Sequence, residues 1–158
     1  MIDKLTFKKV IENAPLVSVD LCVICNGKIL LGKRKNEPLK GIFFTPGARI
    51  LKNERFIDCL KRVALSELGL VIDDTWEAEL MGVWDHFYEN SFFGEEVSTH
   101  YVNLPHCIRY DKTPEIILDH QHDIFKWFDL NVVSSGNNFH EYMQSYASWL
   151  INREENND

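Results

Sequence analysis

The chain has 158 residues, 45% of them hydrophobic and 26% charged, enough for one domain with its own core and too few for two ordinary ones. Seventeen Lys and Arg against 24 Asp and Glu leave a net charge of -7, which excludes a sequence-independent nucleic-acid binder, because such binding is driven by cations that neutralise phosphates. A small phosphate ester would need cations gathered locally or supplied as a metal.

No apolar run approaches the roughly 18 residues needed to cross a bilayer, and Met1-Ile2-Asp3-Lys4 lacks the apolar stretch of a secretory signal. A cytoplasmic protein with no membrane partner is expected, organised as a single domain over 1–158. Cys22, Cys25, Cys59 and Cys107 are too scattered for a disulfide framework and are expected to be reduced.

Asp3 is placed to cap a short helix through about Glu12, with Phe7, Val10 and Ile11 on one side. Leu16 to Cys25 alternates and is rich in Val, Leu and Ile, and Asn26-Gly27 turns it into Lys28 to Arg34, the clearest hairpin in the chain. Residues 35–53, with Pro38, Gly41, Pro46 and Gly47 around Ile42-Phe43-Phe44, read as loop with one short strand. Arg55 to Leu68 reads as an amphipathic helix stopped by Gly69. Strand-like runs follow at Ala78 to Tyr88, Ser98 to Tyr110 and Ile124 to Phe128. A last helix over Asn138 to Ile151 is expected to bury Phe139, Tyr142, Met143, Tyr146, Ala147 and Leu150, with Asn152 to Asp158 frayed. This order predicts an α+β fold, a mixed sheet flanked by helices.

On the wheel of the helix at 55–68, Ile57, Leu60, Val63, Ala64 and Leu68 form one apolar arc, and Glu67 falls inside it. A carboxylate facing a core needs a partner, a hydrogen bond or a metal. It is either such a site or a boundary residue of the last turn that reaches solvent.

Around it stand Pro46-Gly47-Ala48-Arg49, Glu54, Arg62, Glu67, Gly69 and Leu70. This spacing resembles the Nudix box, a loop-helix-loop of the pattern G-x5-E-x7-R-E-U-x-E-E-x-G-U, where U is a bulky apolar residue. Ala48 stands at the first glycine, Val63 at the first glutamate of the helix cluster and Ser66 at the second. The family's helix acids hold several divalent ions, which a lone carboxylate cannot do. The resemblance therefore implies one Mg²⁺ per subunit, completed by neutral oxygens and substrate phosphates.

The chain is similar over nearly its whole length to the GDP-mannose mannosyl hydrolase branch. The shared strings are Pro15 to Asp20, Leu30 to Arg34, Gly82 to Tyr88, Thr99 to Val102, and Gln121-His122-Asp123 before Trp127. The resemblance implies a Nudix-like sheet between helices and a homodimer. It also implies hydrolysis of GDP-mannose or GDP-glucose by water attack at the anomeric carbon, with inversion. The implied metal ligands are Glu67, the Gln121 side chain and the Gly47 carbonyl. His122 is the implied base, with Arg34 and Asp20 beside it as catalytic candidates. Arg34, Arg49 and Arg62 are the implied phosphate-binding forks, with His86 and Tyr101 as further substrate contacts.

Plain roles stand beside these. Arg62 can pair with Asp58 or Glu54, His86 can be a packed histidine, and Tyr101 can fill a strand position. Ala48 fits only where the loop needs no positive φ. Gln121 and His122 are neighbours, so a turn or bulge is expected if both face the site. Two other activities stay open: a conventional Nudix pyrophosphohydrolase cutting at phosphorus, and a GDP-sugar-binding module with impaired catalysis. A zinc or redox reading of Cys22-x-x-Cys25 is disfavoured, since positions three apart on a strand face opposite sides.

Overall fold

The computed structural model describes residues 2–73, 78–118 and 124–157. Helix α1 spans Lys4–Asn13, and its N-terminus is closed by Asp3, whose carboxylate accepts from Thr6 N at 3.0 Å. Strands β1 (Leu16–Cys25) and β2 (Lys28–Lys33) form the expected hairpin. Asn26 and Gly27 both adopt left-handed φ, 52° and 74°, the conformation that matches a two-residue turn to strand twist.

The loop beyond it holds two strands rather than one, β3 (Phe43–Phe44) and β4 (Gly47–Arg49). Helix α2 (Phe56–Leu68) ends at Gly69 in the left-handed region, with φ 66°, as a C-terminal glycine stop predicts. The run expected over 78–88 divides into β5 (Glu79–Leu80) and β6 (Trp84–Tyr88), because Gly82, at φ 108°, turns the chain between them. Strands β7 (Thr99–Tyr110) and β8 (Phe125–Asp129) follow. A short helix α3 (Leu130–Ser135), capped by Asp129 accepting from Asn131 N at 2.8 Å, was not foreseen.

The last helix, α4, runs Glu141–Asn157. It therefore begins later than expected, and the segment expected to fray continues the helix. Arg153 donates to Glu79 Oε2 through Nε at 3.0 Å and Nη2 at 2.7 Å, tying the extra turns to β5.

β1 is the axis of the eight-stranded mixed sheet. One flank pairs in parallel with β7 from Leu16↔Tyr101 to Cys25↔Tyr110. The other flank pairs antiparallel with β2 at its end and with β4 near its start. Period-two alternation sends Val19, Leu21 and Val23 to α2, where they meet Leu60, Val63, Ala64 and Leu68. It sends Cys22 and Ile24 to the other face, against Met143, Tyr146, Ala147 and Leu150 of α4 and Leu130 and Val133 of α3. The α+β arrangement of a mixed sheet between helices is thus the one observed. All four cysteines are free thiols. No described helix is long and apolar enough to cross a membrane.

Candidate active site

Alternation puts Ser18 and Asp20 on the α4 face of the sheet, the same side as Cys22. Parallel register carries Tyr101 and Asn103 of β7 to that face, and β6 brings His86 opposite Tyr101. Glu67 arrives from the other side, on α2. Between the two runs the segment Phe44 to Gly47, laid along β1 by the Asp20↔Gly47 pairing and by Leu21 N donating to Pro46 O at 2.9 Å.

Two clefts meet at this segment. The larger, of about 310 Å³, is lined by Lys33, Arg34, Lys35, Thr45, Gly47 and Glu67 among others. The smaller, of about 140 Å³, is lined by Ser18, Asp20, Arg34, Thr45, Gly47, Ala48, Arg49, His86, Tyr88 and Tyr101. Arg34, Phe44, Thr45 and Gly47 belong to both. The cations that a negatively charged chain must concentrate to hold a phosphate are therefore present, three consecutive ones in the first cleft and Arg34 with Arg49 in the second.

Gly47 has a steric reason to be glycine. A Cβ there would lie 2.2 Å from Asp20 Oδ1 and 2.7 Å from the Val19 carbonyl. Ala48 is a strand residue paired with Val19 and is not among the described residues with positive φ, so alanine costs the loop nothing in conformation. Val63 is 1% exposed in the α2 core and Ser66 faces outward. Neither replaces a lost metal-binding acid, and no group of three metal-binding side chains occurs among the described residues.

Asp20 is buried, and burial pushes its carboxyl up to about 6 against the opposing pull of hydrogen bonds from Tyr146 and Asn103 and of the Arg34 charge. Tyr146 Oη donates to Oδ2 at 2.7 Å and Asn103 Nδ2 donates to the same oxygen at 2.9 Å. His86 is 2% exposed and stacks on Tyr142 with ring centroids 3.9 Å apart. Burial drives its imidazole down to about 4, so it is neutral at pH 7. Burial likewise raises the Tyr101 phenol, which stays protonated. Arg34 Nε donates to the Pro38 carbonyl at 2.7 Å, which fixes the side chain where the two clefts join. Arg49 lies over the Phe7 ring, 4.4 Å from its centroid.

Arg62 is engaged elsewhere. Its Nε and Nη2 donate to the two Glu54 carboxylate oxygens at 2.9 and 3.0 Å, and Nη2 also donates to the Arg49 carbonyl at 3.1 Å. The guanidinium holds the Glu54 carboxyl down at about 2, and Arg62 lines none of the clefts described. The box arginine expected on the substrate thus staples the loop to the helix, the alternative its spacing had left open. Gln121 and His122, the expected third metal ligand and base, lie outside the described residues.

Residues that sequence reasoning did not single out complete the second cleft: Ser18, Thr45, Tyr88 and, behind Asp20, Asn103 and Tyr146. Tyr146 was legible only as a core position of α4. Its hydroxyl, at the apolar centre of a helix and in need of a partner, was the available signal.

The NUDIX domain model matches residues 15–150. A curated relative, the low-salt glycan biosynthesis protein Agl8 of Haloferax volcanii, is 37% identical over 144 residues, covering 91% of this chain and 87% of its own length. Among solved structures, a MutT NUDIX hydrolase from Burkholderia pseudomallei superposes with a TM-score of 0.70 at 22% identity, covering 87% of this chain and 98% of that one. The NUDIX domain of Shewanella oneidensis NrtR, crystallised with ADP ribose, gives 0.67 at 18% identity, covering 96% and 93%. These two establish likeness of fold.

Proposed function

Because this chain belongs to the Nudix family, we propose that it hydrolyses a GDP-linked hexose, GDP-mannose or GDP-glucose, to GDP and free sugar by attack of water on the anomeric carbon. The observation that carries this reading is the asymmetry of the two clefts. Among the described residues the box side holds one carboxylate, Glu67, while the side across Gly47 gathers a buried acid, a neutral imidazole and tyrosine hydroxyls. Several acids would be needed to hold the metal cluster of attack at phosphorus. Polar neutral groups around one carboxylate suit a sugar. The relative from Haloferax volcanii is named for glycan biosynthesis, which supports a sugar-linked substrate class.

A single Mg²⁺ fits the donor set on the box side, where a carboxylate and a main-chain carbonyl are hard oxygen ligands. Glu67 and the Gly47 carbonyl would hold it, with Gln121 as the third protein ligand in this reading. Bound there, the ion would neutralise charge on the departing diphosphate. Arg34, pinned by Pro38 at the junction, binds the diphosphate from the side of the chain's own cations, and Arg49 adds a second fork. Charge gathering on GDP in an oxocarbenium-like transition state is met by these fixed groups, so the leaving group needs no proton. Asp20 places a carboxylate, held by hydrogen bonds from Tyr146 and Asn103, beside the sugar, where positive charge develops. His86 and Tyr101 offer uncharged hydrogen bonds around it. His122 takes the proton from the attacking water. The active species in this reading is a homodimer, which light scattering of the purified protein checks.

Turnover in ¹⁸O water tests the proposal. Label in the released sugar supports attack at carbon, whereas label in a nucleotide phosphate defeats it in favour of a conventional pyrophosphohydrolase. Tight GDP-mannose binding without turnover would instead identify a binding module.

A further inference from the structure

Behind Asp20 lies a chain of directed hydrogen bonds. Ser18 Oγ donates to Asn103 Oδ1 at 2.9 Å. Asn103 Nδ2 donates to Asp20 Oδ2 and to the Tyr146 hydroxyl, which itself donates to Asp20 Oδ2. Both donors act on one carboxylate oxygen. The other, Oδ1, receives no hydrogen bond among the described residues and lies where a side chain on Gly47 would have to be. The network therefore fixes which oxygen faces inward and which faces the cleft.

Next to it stands a second incomplete group. Thr45 is 4% exposed, and its Oγ1 is buried with no hydrogen-bond partner among the described residues. Its hydroxyl lies close enough to the Asp20 side chain to help hold that carboxyl down, yet it makes no hydrogen bond of normal geometry among the described residues. A buried polar atom left unsatisfied is destabilising, and such atoms in a native fold call for an explanation. Here one carboxylate oxygen and one hydroxyl lack a hydrogen bond of normal geometry among the described residues, in two neighbouring residues that both line the smaller cleft.

We infer that Thr45 Oγ1 and Asp20 Oδ1 form a recognition point for an alcohol hydroxyl of the sugar, with Ser18, Asn103 and Tyr146 as the residues that position Asp20. The inference rests on the reading of the substrate given above and names the groups that read its sugar end. A phosphate oxygen does not suit the point, since it would face the charge of Asp20. An alcohol suits it because its proton goes to Oδ1 while its lone pair accepts from Thr45. The phosphate-binding cations, Arg34 and Arg49, line the same cleft, so a hydroxyl one or two carbons from the diphosphate is the group within reach.

The test compares Thr45→Val, which keeps the shape and removes the hydroxyl, with Thr45→Ser, which restores it. Readouts are kcat/KM for GDP-mannose, the inhibition constant of GDP, and the melting temperature. Thr45→Val is expected to lower kcat/KM for GDP-mannose by about tenfold, the usual loss for one ligand hydrogen bond. Thr45→Ser is expected to stay within about threefold of wild type, and the GDP constant should be the same in all three. The Thr45→Val protein should melt close to wild type, because the atom removed makes no hydrogen bond of normal geometry among the described residues. Of the 2-deoxy and 3-deoxy forms of GDP-mannose, one should be a poor wild-type substrate that Thr45→Val handles equally well. Tyr146→Phe should lower kcat/KM for GDP-mannose while leaving the GDP constant alone.

Unchanged kcat/KM in Thr45→Val overturns the inference. So does a parallel loss for GDP and GDP-mannose with a lower melting temperature, which is the mark of a structural residue. Wild-type protein that neither binds nor cleaves GDP-mannose defeats the substrate reading beneath it, and that failure is read before any variant is made.

Discussion

The cleft beside α2 and the cleft on the α4 face share a floor at Thr45 and Gly47 yet hold their polar groups in opposite ways. Beside α2, Lys33, Arg34, Lys35 and Glu67 come from a strand end and a single helix, all within 35 residues of one another, and their charges lie at a surface where ions and phosphates can enter. On the α4 face, Asp20 is tied by hydrogen bonds to Asn103, 83 residues away, and to Tyr146, 126 residues away. The first arrangement attracts charge and tolerates exchange of its ligands. The second fixes a buried carboxylate, and preorganised groups act more strongly on a transition state as burial lowers the local dielectric. In the function proposed above, the nucleotide end of the substrate takes the first kind of surface and the reacting sugar takes the second.

The largest expected effect tests whether either cleft suffices without the base assigned to His122. His122→Ala should lower kcat by about 10² to 10⁴, the usual contribution of a general base, with KM little changed. Steady-state kinetics checks this, and unaltered kcat would pass the role to a group in the described clefts. Next, Glu67→Gln should raise the Mg²⁺ concentration for half-maximal activity by about tenfold or more, since it removes a charged oxygen from a sparsely held hard cation. A Mg²⁺ titration that also changed preference among deoxy sugars would show that the clefts are not separable.

Gly47→Ala strikes the shared floor. With a Cβ 2.2 Å from Asp20 Oδ1 and 2.7 Å from the Val19 carbonyl, it should cost about 1 to 3 kcal/mol of stability, read from urea denaturation. Ala48→Gly next door should change activity little, because β4 requires no left-handed residue there. A large gain in activity from that glycine would make the family's usual residue functionally important after all.

The smallest effect lies outside both clefts, at the Glu54–Arg62 staple. The folded carboxyl of Glu54 sits at about 2 against an ordinary value of 4.5. Its stabilisation is therefore fully present above pH 4.5 and is lost as pH falls toward 2. Glu54→Gln should be less stable than wild type by about 2 kcal/mol at pH 7, after allowance for the partial exposure of Arg62. The gap should close between pH 4.5 and 2, as urea midpoints across that range would reveal. A gap independent of pH would mean that the ion pair is not its source.

What could be read along the chain was whatever depends on near neighbours. The Asn26-Gly27 turn, the Asp3 cap, the α2 helix with its Gly69 stop and the inward lean of Glu67 all follow from local sterics and periodicity. The box spacing marked Gly47 and Glu67 in the same way, and both line the larger cleft. Arg62 shows the limit of that reading, since its spacing allowed either phosphate or Glu54 and only packing chose Glu54. The α4 tail was misjudged because its anchor, Glu79, lies on another strand.

By itself, then, the order of residues determined the α+β class, the hairpin and the box helix, because hydrogen bonds and apolar faces within a few turns decide those. Only the tertiary structure decided that Ser18, Asn103 and Tyr146 direct Asp20 and that Thr45 stands beside it with no hydrogen bond of normal geometry among the described residues. The physical reason is that parallel pairing of β1 with β7, under α4, brings together polar atoms that no local periodicity relates, and their burial gives each contact its direction.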